Sequence, residues 1–248
     1  HRLSHPLVGE SRSLEQIDGA WQKAPPTLYK EGIKVQTPWL YRFLKEPYQL
    51  RHTTVLRMPK FNMSDEEARA LANYFAAVDG AEFPYQDVPQ RDAPYLAAKN
   101  EKFHGEGDDS YLGQSWRVLN NGKLCINCHS VGGRDVQVDP MKPLPRGPNL
   151  DHASDRLRPE WTMLWLYNPK WVTPYTAMPA LFSKTKPPVA DLLDGDGQDQ
   201  AVGVRDALMN YARLLERFGK VTAAPPEPAA DAQKPEQDTP NAKKEEET

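Results

Sequence analysis

The chain has 248 residues, of which 39 % are hydrophobic and 24 are proline, too little apolar side chain for one large core, so small domains helped by a cofactor are expected. Its net charge of −3 is concentrated in segment 221–248, which holds seven acids and three lysines, and residues 1–220 carry about +1. That balance gives no basic footprint for nucleic acid, and no apolar run is long enough to span a membrane.

In chain order, the first residue is His1 rather than methionine and no signal peptide is legible, so a processed or truncated piece is expected. Thr37 is placed to cap a helix that opens on Pro38, runs through PWLYRFLKE and ends at Pro47. Ser64 and Glu67 form a capping box opening DEEARALANYFAAVDG, which stops near Gly80. Between them lies VLRMPKFNMS, with Met58 before Pro59; Met63 precedes the Ser64 cap and is expected to point into packing. Residues 81–104 carry three prolines and no sustained helical period and read as a linker. SYLGQSWRVLNNGK follows as a helix, with Leu112, Trp116 and Leu119 on one face. Beyond YNPKWVTPYTAMPAL, the acidic stretch SKTKPPVADLLDGDGQDQAVG reads as a solvated surface loop, its glycine and final acid misplaced for a calcium loop. VRDALMNYARLLERFG is the last helix, and 221–248 has the composition of a disordered tail. The fold class is therefore all-α: two small helical domains, 1–80 and 105–220, joined by 81–104 and followed by the tail.

Both cysteines, Cys125 and Cys128, lie in Cys125-Ile126-Asn127-Cys128-His129, the C-x-x-C-H arrangement of covalent haem attachment. Two thiols three apart share one side of a helical turn and reach the two vinyl groups of a haem edge, while the adjacent imidazole points at the iron. A thioredoxin-like dithiol follows a strand, whereas a helix precedes this one; a zinc site wants further ligands. Six-coordinate iron needs a second axial ligand, and His/Met ligation raises the potential. Met178, before Pro179 in a loop stiffened by Pro169 and Pro174, fits that role, with Tyr175 placed to hold the loop.

This half of the chain, about residues 105–220, resembles a class I c-type cytochrome: the helix before C-x-x-C-H, RGPNL at 146–150, RPEWTMLWLYNP, the Met-Pro loop and the final helix. The resemblance implies that the Pro148 carbonyl accepts the Nδ1 proton of His129, that Trp161 and Trp165 pack near the haem, and that Tyr211 closes the pocket. It also implies a periplasmic, or membrane-anchored and periplasm-facing, bacterial location. The stretch between Met178 and the last helix is longer than the family's compact form needs.

The first half repeats these landmarks. Pro148 to Trp161, Trp161 to Pro169 and Pro169 to Met178 are 13, 8 and 9 residues apart; Pro25 to Trp39, Trp39 to Pro47 and Pro47 to Met58 are 14, 8 and 11. LANY at 71–74 matches LMNY at 208–211. A tandem duplication is expected, its first copy lacking the C-x-x-C, with Met58 in the distal-ligand loop. His1 and His5 are the two candidates for its proximal ligand; in the alternative, neither binds iron and the copy is a scaffold.

The expected function is electron transfer through haem c, one covalent and a second conceivable in the first domain of a longer protein, within a respiratory chain. Both axial positions are filled, so no small-molecule substrate is expected; redox proteins, among them a membrane respiratory complex, are the expected partners. The alternatives are a dihaem peroxidase-like enzyme and a haem-bearing scaffold or sensor module of a larger complex.

Overall fold

Polar side chains at Ser13, Ser64, Ser110, Asn168 and Asp196 cap helix starts, and prolines sit in the first turn of several others. The structure, a computed structural model, describes residues 13–52, 54, 57–136 and 145–219. His1, His5 and the expected tail lie outside the described residues. Ser13 and Gln16 form a capping box on α1, Leu14–Lys23, a helix absent from the sequence expectations. The short α2, Glu31–Lys34, leads into α3, Thr37–Lys45, which stops before Pro47. Ser64 and Glu67 box the start of α4, Asp65–Val78. Val35, Trp39, Leu40, Leu44, Ala68 and Ala72 form a first core between α3 and α4, with Met58 and Met63 packed against it.

The segment expected to be a bare linker contains α5, Ala93–Lys102, and its Leu96 and Phe103 are buried in a second core. The ten-residue helix, rich in alanine and lysine, presents too few apolar side chains to display a period, and Pro94 sits in its first turn, where no intrahelical N–H is needed. Helix α6, Tyr111–Leu119, precedes a 3₁₀ turn at Cys125–Asn127. Then come α7, Ala153–Arg156, α8, Pro159–Tyr167, and α9, Pro169–Val172. The last helix expected from sequence is two: α10, Gly197–Met209, capped by Asp196, and α11, Tyr211–Phe218. The stretch read as a solvated loop holds Leu193, fully buried, and the first turn of α10. Helices α6 and α10 cross closely: a Cβ on Gly203 would fall 2.5 Å from Leu193 Cδ1 and 2.7 Å from Ser115 Oγ. Buried Asp206 ties three helices, accepting from Tyr95 Oη at 2.8 Å, Tyr111 Oη at 2.6 Å and Arg205 Nε at 2.7 Å. Among the described residues there is no sheet, only two isolated bridges, and no helix is long and apolar enough to cross a membrane.

One of those bridges joins the two cores. Val35 pairs with Leu157, Gln36 N–H donates to the Arg156 carbonyl at 2.8 Å and Arg158 N–H to the Lys34 carbonyl at 3.0 Å. Arg158 itself is 3 % exposed. Its Nε donates to the carbonyls of Gly32 (2.8 Å) and Val35 (2.9 Å), and its terminal nitrogens to Gln86 Oε1 (3.1 Å), Thr37 Oγ1 (3.3 Å) and the Glu82 carbonyl (2.8 Å). The Thr37 hydroxyl, expected to cap α3, serves this guanidinium instead, and Gln36 occupies the cap position without a side-chain hydrogen bond. Burial lowers the Arg158 pKa from its ordinary value, partly offset by Glu160 and Glu82.

Replacing Arg158 by Ala leaves these five oxygens without their donor and is expected to cost about 3 kcal/mol. Arg117→Ala, which removes an exposed pair with Asp109, is expected to cost about 0.5 kcal/mol or less. Urea unfolding midpoints of the two variants distinguish them.

Candidate haem-binding site

The Cys125–Asn127 turn is held by Cys128 N–H and His129 N–H, both donating to the Cys125 carbonyl, at 3.2 and 2.9 Å. Cys125 opens this turn and Cys128 is the residue that closes it. Both are free thiols, Cys125 buried and Cys128 half-buried. Burial pushes the Cys125 thiol up to about 12 and raises Cys128 as well.

His129 Nδ1 lies 2.7 Å from the Pro148 carbonyl oxygen. A carbonyl only accepts, so Nδ1 carries the proton and Nε2 keeps its lone pair. Burial lowers the imidazole pKa, the Pro148 carbonyl works in the opposite sense, and Arg156 lowers it further. The ring rests on backbone: a Cβ on Gly147 would fall 2.3 Å from His129 Cε1 and 2.5 Å from Nδ1, so only glycine fits. Gly147 N–H donates to the Cys128 carbonyl at 2.7 Å, which fixes the RGPNL loop against the thiol turn.

Tyr211 anchors the same loop from the second core. Buried on α11 and edge-on to Trp116, its hydroxyl donates to Asp151 Oδ1 and accepts the Gly132 N–H at 2.6 Å. Burial alone would raise the Asp151 pKa; hydrogen bonds from Tyr211 and from the Gly132 and Gly133 N–H groups outweigh it and hold the carboxyl below the usual range.

Trp161 and Trp165 on α8 stack with ring centroids 5.2 Å apart. Met178 is half-buried against the second core, its Sδ accepting from Trp165 Nε1 at 2.8 Å and its N–H donating to Thr176 Oγ1 at 3.2 Å. Tyr175 fastens the Met178 loop to α1, stacking on Trp21 at 5.4 Å and accepting from Gln22 Nε2 through its carbonyl at 2.9 Å. Met58 packs against the first core, in which Trp39 and Phe43 stack on each other. Hydrogen bonds thus join the Cys125–His129 turn to Gly147 and Pro148, and Tyr211 to Asp151 and Gly132 along the same loops; separately, Trp165 bonds the Met178 sulfur and Tyr175 ties its loop to α1. Sequence reasoning missed Gly147, Asp151 and the Trp165–Met178 bond; Gly147 lies within the RGPNL landmark and Asp151 directly follows it, and both were open to reading from it.

The residues fit a c-type haem. Two free thiols border one short turn, the neighbouring imidazole is in the tautomer that leaves Nε2 unprotonated, and a Cβ-free cradle supports its ring. Cys125, Cys128 and His129 would hold the macrocycle and its iron from one side, and the Met178 thioether would supply the sulfur ligand.

In the haem-free chain, a maleimide time course at pH 8 should label Cys128 about tenfold or more faster than buried Cys125. In an NMR titration of the same material, His129 should titrate below 6.5. The unfolded chain then binds the proton more tightly than the folded one. This group's contribution to stability is complete above pH 6.5 and is lost as pH falls through the folded value.

No protein-family model, curated protein or solved structure matches the chain.

Proposed function

We propose that the chain is an electron-transfer protein built on the plan of a class I c-type cytochrome, with one haem bound covalently at Cys125 and Cys128 and ligated by His129 and Met178. The observation that carries the reading is the His129–Pro148 contact at 2.7 Å directly beside the thiol pair. It supplies what an axial histidine needs: a fixed tautomer, a fixed ring plane and a more basic Nε2.

The haem, when bound, supplies a one-electron ferric–ferrous couple. The protein's own residues set its conditions. His129 stays neutral at pH 7 because burial disfavours its protonated form, so its lone pair is not lost to a proton. Trp165 N–H engages one lone pair of the Met178 sulfur and leaves the other. Tyr175, anchored on α1, keeps the Met178 loop from swinging away. His129 and Met178 would together hold the iron and would leave no coordination position for a substrate, which favours a carrier over an enzyme. Cys128, half-buried, lies on the side from which a redox protein makes brief contact.

The same reading makes the first core a second cytochrome c-like domain, with Met58 at the place of Met178 and with His1 or His5 as proximal ligand. No thiol precedes Cys125, so this chain carries at most one thioether-bound haem. Covalent attachment of this type places the protein outside the cytoplasm of a bacterium, beside a respiratory complex as partner.

Expression in a host with haem-attachment machinery, followed by pyridine haemochrome assay, should give one covalent haem per chain, and none after Cys125→Ser with Cys128→Ser. Met178→Ala should keep the haem but lose the weak red absorption of sulfur-ligated ferric iron. A wild-type chain that acquires no haem overturns the proposal.

A further inference from the structure

The loop that carries Met178 is shaped by short-range bonds. Thr173 N–H donates to the Pro169 carbonyl at 2.9 Å, Thr176 N–H to the Thr173 carbonyl at 3.0 Å and Met178 N–H to Thr176 Oγ1 at 3.2 Å. Such bonds make turns; they do not fix where the loop lies on the molecule. Its position is set from further away. Trp165 reaches the Met178 sulfur from α8. Tyr175, three residues before Met178, is held from the other half of the chain: its ring stacks on Trp21 at 5.4 Å and 23°, and its carbonyl accepts from Gln22 Nε2 at 2.9 Å across 153 residues.

Helix α1 is suited to that hold. Its Ser13–Gln16 capping box fixes where it starts. Among its described side chains the buried ones are Ala20 and, at the C-cap, Ala24, both small. Trp21 and Gln22 are half-buried, and Lys23 beside them is exposed. Pro25 and Pro26 follow at once and stiffen the exit toward α2. There Gly32 N–H donates to Asp79 at the end of α4, at 2.8 Å, which ties the segment to the first core.

We propose that Trp21 and Gln22 are positioning residues for Met178, so that the first half of the chain controls whether the sulfur stays in place or yields its position to another ligand. The inference rests on the haem reading above. Each contact raises the ratio of closed to open loop, the ring stack by about fivefold and the hydrogen bond by a similar factor. An incoming ligand binds only the open loop, so its apparent affinity follows the open fraction. When it binds, its nitrogen replaces the thioether at the iron, with no change in oxidation state. The first half then has a role that needs no iron of its own.

Two measurements test this on wild type, Trp21→Ala, Trp21→Phe, Gln22→Ala and Lys23→Ala. The first is amide hydrogen exchange by NMR in the haem-free chain bearing Cys125→Ser and Cys128→Ser. Exchange at Thr176 and Met178 is expected to quicken about fivefold in Trp21→Ala and by a similar factor in Gln22→Ala. Trp21→Phe, which keeps a stack, and Lys23→Ala are expected to stay near wild type, and the Ala207 amide in α10 is expected to exchange alike in all five. The second is an imidazole titration of the haem-loaded ferric chain, followed by loss of the sulfur-ligation band. The midpoint is expected about fivefold lower in Trp21→Ala and Gln22→Ala, with Trp21→Phe and Lys23→Ala near wild type. Midpoints equal to wild type in Trp21→Ala and Gln22→Ala overturn the proposal, even if exchange quickens. An equal shift in Lys23→Ala or at Ala207 marks general loosening and overturns it too. Gln22→Ala alone decides if Trp21→Ala fails to fold. If the wild-type chain takes up no haem, the haem reading fails by itself, and exchange at Met178 decides whether α1 positions this residue.

Discussion

The proton on His129 Nδ1 has one acceptor, the Pro148 carbonyl, and the chemistry of the site depends on that bond. Without it the imidazole is free to choose its tautomer and to rotate; with it, Nε2 is the nitrogen that faces a ligand. The bond holds because the RGPNL loop cannot move independently of the thiol turn: Gly147 N–H reaches the Cys128 carbonyl and Leu150 N–H the Ser130 carbonyl. That loop is in turn tied through Asp151 to Tyr211 and Gly132, and Tyr211 rests against Trp116 on α6. A continuous path therefore runs from the α6–α10 crossing to one nitrogen atom. Gly203, which permits that crossing, and Gly147, which permits the ring to lie on backbone, act at opposite ends of the path.

Arg158 does for the junction what Pro148 does for His129. Its oxygen partners come from residues 32, 35, 37, 82 and 86, and they surround the guanidinium only when the start of α3 and the segment after α4 are both in place. These hydrogen-bond partners are neutral, with Glu160 and Glu82 acting on the charge only through space, and any loosening of the first core exposes a buried cation to poorer pairing. The two cores are in this way coupled energetically, although each has its own apolar cluster.

Features governed by short sequence patterns were legible before any coordinates. The Ser64–Glu67 box, the stop at Pro47, the helix before the thiols and the all-α character depend on neighbours within a few residues, and each is present. Features that depend on what lies across the molecule were not legible. Helix α5 has too weak a stripe to reveal its period, yet Leu96 and Phe103 find the second core. The acidic stretch before α10 hides Leu193, one buried side chain among charges, because burial there is set by the glycine facing it at 203. Thr37 has the residue type of a cap, but a guanidinium from more than a hundred residues away competes for its hydroxyl. Proline and histidine 19 residues apart carry no local signal that they meet; that pairing came from resemblance to a family, and the site's chemistry is read through it.

The duplication expected from spacing makes α3 and α8 counterparts, and their side chains can be compared position by position. Trp39 and Phe43 stack at 4.9 Å and 15°, Trp161 and Trp165 at 5.2 Å and 15°, four residues apart on α3 and α8 respectively. Each pair lies eight residues, counted from its first tryptophan, before the proline that ends its helix. Packing is thus preserved, because a stacked pair on one helix face needs only two flat rings at that spacing. The chemistry is not. Trp165 gives its indole N–H to the Met178 sulfur, whereas Phe43 at the matching position has no donor to give Met58, and the Trp39 indole is turned to Tyr48 Oη at 3.3 Å. A hydrogen bond to a thioether draws electron density from the sulfur and so favours the lower charge state of a metal bound to it. The copy that has thiols also has this donor, and the copy without thiols lacks it. The two differences run in one direction: thiols and the indole donor to a methionine sulfur occur together around the second core, and around the first core neither does.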